Sequence, residues 1–274
     1  MDSGIPFRKI KALRGEADLY GYSEWLAEYL NLRNKHPRCN FQHMWIWWDL
    51  EPEDVCWALD PNVLTGSGSL TQNEHIAEII ESMGQMAAAG GLPFLNFIQH
   101  HPIETQRNGK TLYVSTHSTH WRDVSQHSKN AIKEFTKDND VTVLLSYKDS
   151  HLAEELDVPC LLGADTMDAN SFYRIQKIFS EFDYMITDRM GSHVLYGMAC
   201  GMKVGLSAKH NIDTVFSETA IARGFHDRAH SIRKTQFLAD RFPGLVIEGG
   251  LPSYNVMPDI PQYPAELISK YIWS

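Results

Sequence analysis

The chain has 274 residues, 43% of them apolar and 22% charged, with 25 basic against 34 acidic side chains and a net charge of −9. This is the composition of a globular chain with a substantial core, long enough for one large or two small domains. The acidic balance excludes a general polyanion or nucleic-acid binder and leaves room for a small anionic ligand held by local positive potential. Cys39, Cys56, Cys160 and Cys200 form no C-x-x-C pair, and Cys160 and Cys200 lie in apolar runs, which fits buried thiols in a reducing compartment. No run of about 18 apolar residues occurs, so no membrane span is expected. The start, MDSGIPFRKI, lacks an apolar signal core, and the expected location is cytoplasmic.

In chain order, residues 17–33 place Leu19, Tyr22, Trp25, Leu26 and Leu30 at near-helical spacing. FQHMWIWW (41–48) reads as extended and buried. NVLTGSG (62–68) reads as a short strand entering a turn. NEHIAEIIESMGQ (73–85) is a helix with an Ile76, Ile79, Ile80 and Met83 stripe and Gly84 near its end. GLPFLNFI (91–98) reads as a strand, completing a βαβ pattern.

HHPIETQRNGK (100–110) is polar and turn-rich, and it marks a domain junction. Beyond it, TLYVSTH (111–117), VTVLLSY (141–147), VPCLLGAD (158–165), YMIT (184–187) and KVGLS (203–207) read as strands. Helices are expected over 124–140, over 168–183 with Asn170 or Ser171 as cap, over His193–Cys200, and over 227–242. Continuous apolar strands between amphipathic helices imply parallel sheets covered on both faces. The expected architecture is α/β, with two Rossmann-like domains over 1–105 and 106–245, a tail over 246–274, and a reduced first domain.

In open parallel sheets ligands bind beyond the carboxyl ends of the strands, so the strand ends are read for chemistry. After YMIT the chain turns through Asp188-Arg189-Met190-Gly191-Ser192 into a helix. Gly191 permits close backbone approach, and Ser192 can cap a helix whose unpaired N–H groups attract an anion. The same residues would serve a plain strand-to-helix turn. Gly201 has the position of a helix-ending C′ residue. No GxxxxGK[ST] or strand-following GxGxxG occurs, which weighs against ATP hydrolysis and NAD binding. Three more strand ends carry polar groups: His117 and Ser118; Lys148, suited to phosphate, and Asp149, suited to a ribose hydroxyl; and Asp165 with Asp168.

A strand ending in Thr187-Asp188, a short turn, Gly191-Ser192, and a helix running to Gly201-Met202-Lys203-Val204 resembles the donor-binding half of GT-B glycosyltransferases. Within that group it is most similar to enzymes that build bacterial capsule and lipopolysaccharide. THSTHW (116–121), SYKDS (146–150), FQHMW (41–45) and GLPFLN (91–96) extend the resemblance over roughly residues 40–210. It implies two facing Rossmann domains, a nucleotide-sugar donor, a glycan or lipid-linked glycan acceptor, and transfer without a bound metal or other cofactor. Thr187, Gly191, Ser192 and His193 would hold the donor phosphates, and His117 and Ser118 would approach from the first strand. His43 is the first candidate for the base that deprotonates the acceptor, followed by His100 and His101 at the junction. Trp45, Trp47, Trp48 and Trp57 could stack on a sugar or fill core.

Three other readings fit some of these residues. A histidine-rich, metal-dependent hydrolase would draw on His100, His101, His117, His120, Asp123 and His127. A hydrolysing nucleotide-sugar epimerase would use Asp149 and Asp165. A catalytically degenerate GT-B-like protein would bind a sugar nucleotide without turnover.

Overall fold

The computed structural model describes residues 3–10, 16–32, 40–41, 69–71, 73–115, 117–118, 123–188, 192–207, 246–247, 252, 263–266 and 268. The expectations for residues 42–48, 62–68 and 227–242 lie outside them. The chain forms two compact units, neither continuous in sequence. One comprises Met1–Ser3, Glu104–Gly163 and Lys177–Met257; the other comprises Gly4–Ile103, Ala164–Gln176 and Pro258–Ser274.

The second of these units holds a small parallel sheet, β1 (Asn40–Phe41), β2 (Ser69–Thr71) and β3 (Ala87–Ala89), in the order β1-β2-β3. Before it, a 3-10 segment (Glu16–Gly21) leads into helix α1 (Tyr22–Tyr29). Between β2 and β3 runs α2 (Glu74–Ser82). The Asn73 carboxamide oxygen accepts from the Ile76 N–H at 2.9 Å and so satisfies one orphan donor of its first turn. Ile76, Ile79 and Ile80 are buried as their spacing predicts.

GLPFLNFI is not a strand. It forms helix α3 (Pro93–His100), with Pro93 at its start and Leu92 extended before it. Proline has no N–H to give to a sheet, and its fixed φ suits the first helical turn. A short apolar run does not by itself separate a buried strand from a buried helix, and here proline decides.

The N-terminal residues of this unit are tied down by a buried ion pair. The Arg174 guanidinium bonds the Asp168 carboxylate, and both side chains are almost fully buried. Asp168 also accepts from the backbone N–H of Arg8 at 2.7 Å and of Asn170 at 3.0 Å. Arg174 donates to the Ile5 carbonyl at 3.0 Å. With its partners satisfied the pair is tolerated; removing one member strands a buried charge.

The other unit holds the larger sheet. Its strands are β4 (Thr111–Val114), β5 (Val141–Leu145), β6 (Cys160–Leu162), β7 (Tyr184–Thr187), β8 (Lys203–Ser207) and β9 (Val246–Ile247). Every pairing is parallel, in the order β6-β5-β4-β7-β8-β9. Counted from β4, that is the 3-2-1-4-5-6 order of a doubly wound, Rossmann-like sheet. Helix α4 (Ser125–Phe135) covers one face: Phe135 stacks on Tyr113 at 4.6 Å, and Ile132 joins Tyr113, Val143, Leu145 and Ile186 in a buried cluster. After α5 (Ser171–Glu181) and β7 comes α6 (Ser192–Ala199), which covers the opposite face. Gly197 permits that contact, since a Cβ there would lie 2.7 Å from Met185 Cε and 3.3 Å from Val204 Cγ2.

Helix α6 ends as its glycine predicts. The Gly201 N–H bonds the Met198 carbonyl at 2.8 Å, and the Met202 N–H bonds the Gly197 carbonyl at 2.9 Å, with Gly201 at φ +80°. Arg107 completes the cap: it donates to the carbonyls of Phe179, Phe182 and Cys200. A Cβ on Gly201 would lie 2.9 Å from Arg107 Nη2.

Two stability predictions follow from these contacts. Gly201→Ala should lower stability to urea by about 1–2 kcal/mol from the left-handed backbone alone. An added cost from displacing Arg107 should vanish in an Arg107→Met background. Arg174→Met should cost about 3–5 kcal/mol, because Asp168 is left buried and uncompensated. Equilibrium unfolding of the single and double variants checks both.

Candidate functional site

The strand order of the larger sheet fixes where a ligand fits. Strands β4 and β7 are neighbours, yet the helices that follow them, α4 and α6, lie on opposite faces. At this switch point the crossovers diverge, and in open α/β sheets it is the carboxyl ends beside such a point that bind ligands.

At the β7 end, Thr187 is fully buried and its Oγ1 lies 2.9 Å from His193 Nε2. This contact joins the last strand residue to the first turn of α6. The helix begins at Ser192, one residue earlier than the sequence suggests, so Ser192 stands within the first turn. Burial pushes the Tyr196 phenol up to about 12, with the Ser192 side chain one turn earlier pulling the other way. Asp188 follows Thr187 and is 4% exposed. Its charge, after burial itself, holds the Tyr113 phenol well above the usual range. Tyr113 Oη is buried with no hydrogen-bond partner among the described residues. Gly191 lies outside the described residues.

At the ends of β4 and β5 a second polar group is assembled. Asp149, in the 3-10 segment Tyr147–Glu154, is 2% exposed. Its Oδ2 accepts from the Ser118 backbone N–H at 2.8 Å and from the Ser146 hydroxyl at 2.8 Å. Asp149 Oδ1 is buried and has no hydrogen-bond partner among the described residues. The Ser118 hydroxyl accepts from the Val124 N–H at 3.0 Å and donates to Asp123 at 3.3 Å, which leads into α4. The Ser125 side chain and N–H, then Ser118, hold the exposed Asp123 carboxyl below its ordinary value. Ser118 and Asp149, named from separate strand ends, are therefore in direct contact. His117 and Lys148, beside them, are exposed.

The other expected residues fall elsewhere. Asp165 belongs to the unit with the small sheet, where its Oδ1 accepts from the Met167 N–H at 2.7 Å and its backbone exchanges two bonds with Ser171 Oγ. It shapes the turn before α5. Neither expected cap residue uses its side chain on that helix. Asn170 bonds Pro6 and Arg8, and Ser171 bonds Asp165. His101 follows α3 in an aromatic cluster: it stacks on Phe97 at 4.9 Å and meets Tyr173 edge-on at 5.5 Å. The Trp25 indole N–H donates to His101 Nε2. The neutral ring has one nitrogen lone pair, and Trp25 holds it, so His101 is engaged in packing where the sequence suggests a base. His43 lies outside the described residues.

Sequence reading passed over Tyr113, Ser146 and Asp188 as separate site groups. Their signal is a lone polar residue at or just beyond an apolar strand, which becomes specific only once β4, β5 and β7 are known to be adjacent. Among the described residues, no three His, Cys, Asp or Glu side chains come together as a metal-binding group. No helix among them is long and apolar enough to cross a membrane. The larger sheet and its rim define a Rossmann-like α/β protein with a polar switch point. No protein family, curated protein or solved structure was found to match the chain.

The setting of His101 yields a pH prediction. Burial, then the charge of His100, lowers its pKa from 6.5, against the pull of Glu28. The unfolded chain therefore binds the proton more readily. The stability tied to the neutral ring is fully present above about pH 6.5 and is lost as pH falls through that value toward the folded pKa. Melting temperature should fall between pH 7 and pH 5. His101→Gln, which keeps an acceptor for Trp25, should flatten that slope.

Proposed function

We propose that the protein is a glycosyltransferase of the GT-B type, with the larger-sheet unit as its nucleotide-sugar half. The observation that carries this reading is the polar start of α6 at the switch point, where Ser192 and the Thr187–His193 contact stand in the helix's first turn, at the positive end of its dipole. Donor phosphate would sit there, and the sugar would leave against fixed N–H dipoles rather than mobile water. The resemblance of residues 182–207 to surface-polysaccharide enzymes points to a glycan or lipid-linked glycan acceptor. His43 stands as the base for the acceptor hydroxyl, with His117 and Lys148 approaching the phosphates from the neighbouring strand ends. The proposed transfer uses no metal.

A thermal-shift screen against CMP, UDP, GDP, dTDP and ADP, with and without EDTA, tests the reading. One nucleotide should stabilise the protein by about 2.7 kcal/mol at a hundredfold excess over Kd, insensitive to EDTA. Ser192→Asp should abolish that shift while leaving the unliganded fold intact, because an acidic residue in the first turn suits the helix dipole but repels phosphate. Stabilisation lost to EDTA would favour a metal-dependent hydrolase. Nucleotide binding without turnover of donor, with or without acceptor, would favour a degenerate binder.

A further inference from the structure

In the unit that holds the small sheet, helix α1 carries an aromatic stripe that runs from core to solvent. Tyr22 and Trp25 are 1% and 4% exposed, whereas Tyr29, one turn beyond Trp25 and last in the helix, is 43% exposed. The Tyr29 ring does not stand alone. It lies 5.8 Å from the Trp25 ring and 4.3 Å from that of His100, the last residue of α3. Trp25 and His100 are 6.2 Å apart. The three rings are inclined to one another by 23°, 37° and 30°, so they share nearly one orientation. The buried member, Trp25, is fixed in turn by its indole N–H, which donates to His101 Nε2. Tyr29 is therefore an exposed ring held in place by a buried one. A flat surface already set in position binds with little ordering cost.

The groups around this ledge are polar. Glu28, next to Tyr29, is exposed, and its charge acts on both His101 and the half-buried Tyr173 phenol, so it lies close to both. The Arg8 charge acts on the same phenol in the opposite sense, and Arg8 Nη1 pairs with Glu24 at 3.0 Å. Apolar ring area is thus bordered by carboxylate acceptors and a guanidinium donor. The apolar face of another protein is a poor match, because it would take these charges out of water without partners. An anion meets Glu24 and Glu28, and a cation meets Arg8. A sugar ring matches both parts of the patch. One face of a pyranose is a surface of C–H groups, and its edge carries hydroxyls that donate and accept.

We propose that Tyr29, stacked on Trp25 and His100, is a sugar-binding ledge that takes the C–H face of an uncharged pyranose in the acceptor glycan, with Glu28 and Arg8 taking its hydroxyls. Its place in the reaction rests on the glycosyltransferase reading above. His100 then serves as a wall of the ledge and not as a base. Tyr29 contributes its ring, so its own hydroxyl is dispensable.

The test is saturation-transfer difference NMR on the full chain with the methyl glycosides of glucose, galactose and N-acetylglucosamine, titrated for Kd. At least one should bind, with the strongest transfer on the protons of a single ring face. Tyr29→Phe should keep that binding. Tyr29→Ala and Tyr29→Leu, the second of which keeps apolar bulk without a ring, should each weaken it about tenfold. Their melting temperatures should stay close to wild type, because Tyr29 lies at a helix end, and this separates lost binding from lost folding. Absence of transfer to all three glycosides overturns the inference, and so does undiminished binding by Tyr29→Leu. Binding of tetramethylammonium in place of the glycosides makes the ledge a cation site and also overturns it. The nucleotide screen is independent of this result. A nucleotide shift without glycoside binding leaves the donor reading standing, and glycoside binding without a nucleotide shift removes the transferase and keeps the ledge.

Discussion

Adjacent parallel strands cannot be joined by a tight turn, and every feature of the candidate site descends from that constraint. Each crossover must leave the sheet, travel over one face and return. In the order β6-β5-β4-β7-β8-β9 the chain winds outward from β4 to one edge and restarts at β7 for the other. The helices after β4 and β7 therefore cover opposite faces, as the Phe135–Tyr113 stack and the Gly197–Met185 approach show. The rim between these strands is the switch point at which the two crossovers diverge. The side chains there answer to hydrogen bonding more than to packing, and that is where Ser118, Asp188 and His193 lie.

The charges along this rim have a polarity. The β7 end meets the N-terminal turn of α6, where backbone N–H groups and partial positive charge gather. The β5 end presents a buried carboxylate. Two carboxylates, Asp149 and Asp188, are unusual company for an anion site, and both are buried rather than displayed. Asp188 has a visible electrostatic effect on the Tyr113 phenol, on the α4 face of the sheet. Thr187 alternates to the other face and meets α6. One strand end thus sends a hydroxyl toward the helix and a carboxylate away from it, which keeps the acidic group from facing the helix terminus directly.

What the sequence makes legible follows the reach of each signal. Strands β4 to β8 of the larger unit read correctly because each is a short apolar run beside amphipathic helices, a pattern that parallel burial imposes, whereas β9 (Val246–Ile247) lies in the stretch read as a tail. The Gly201 stop was equally readable, since it depends on neighbours within four residues. Residues 91–98 misled because their apolar run outweighed Pro93, while the neighbouring Ala87–Ala89 strand has little side chain to announce it. Contacts distant in sequence were not legible. Nothing in the string says that Arg107 caps Phe179, Phe182 and Cys200, or that Trp25 engages His101.

The same distinction separates the two aspartates named from strand ends. Asp149 and Asp165 look alike in sequence: each comes a few residues after an apolar run, behind a stretch that opens on a small residue, Ser146 or Gly163. Their hydrogen bonds set them apart. Asp165 is used locally, with its carboxylate on the Met167 N–H two residues away and its backbone closed on Ser171. Asp149 reaches 31 residues back to Ser118 and ties two strand ends together, yet spends only one of its oxygens doing so. A local turn is complete in itself and asks for no ligand. The Asp149 carboxylate instead holds two neighbouring strand ends of the doubly wound sheet together, and its Oδ1 has no partner among the described residues.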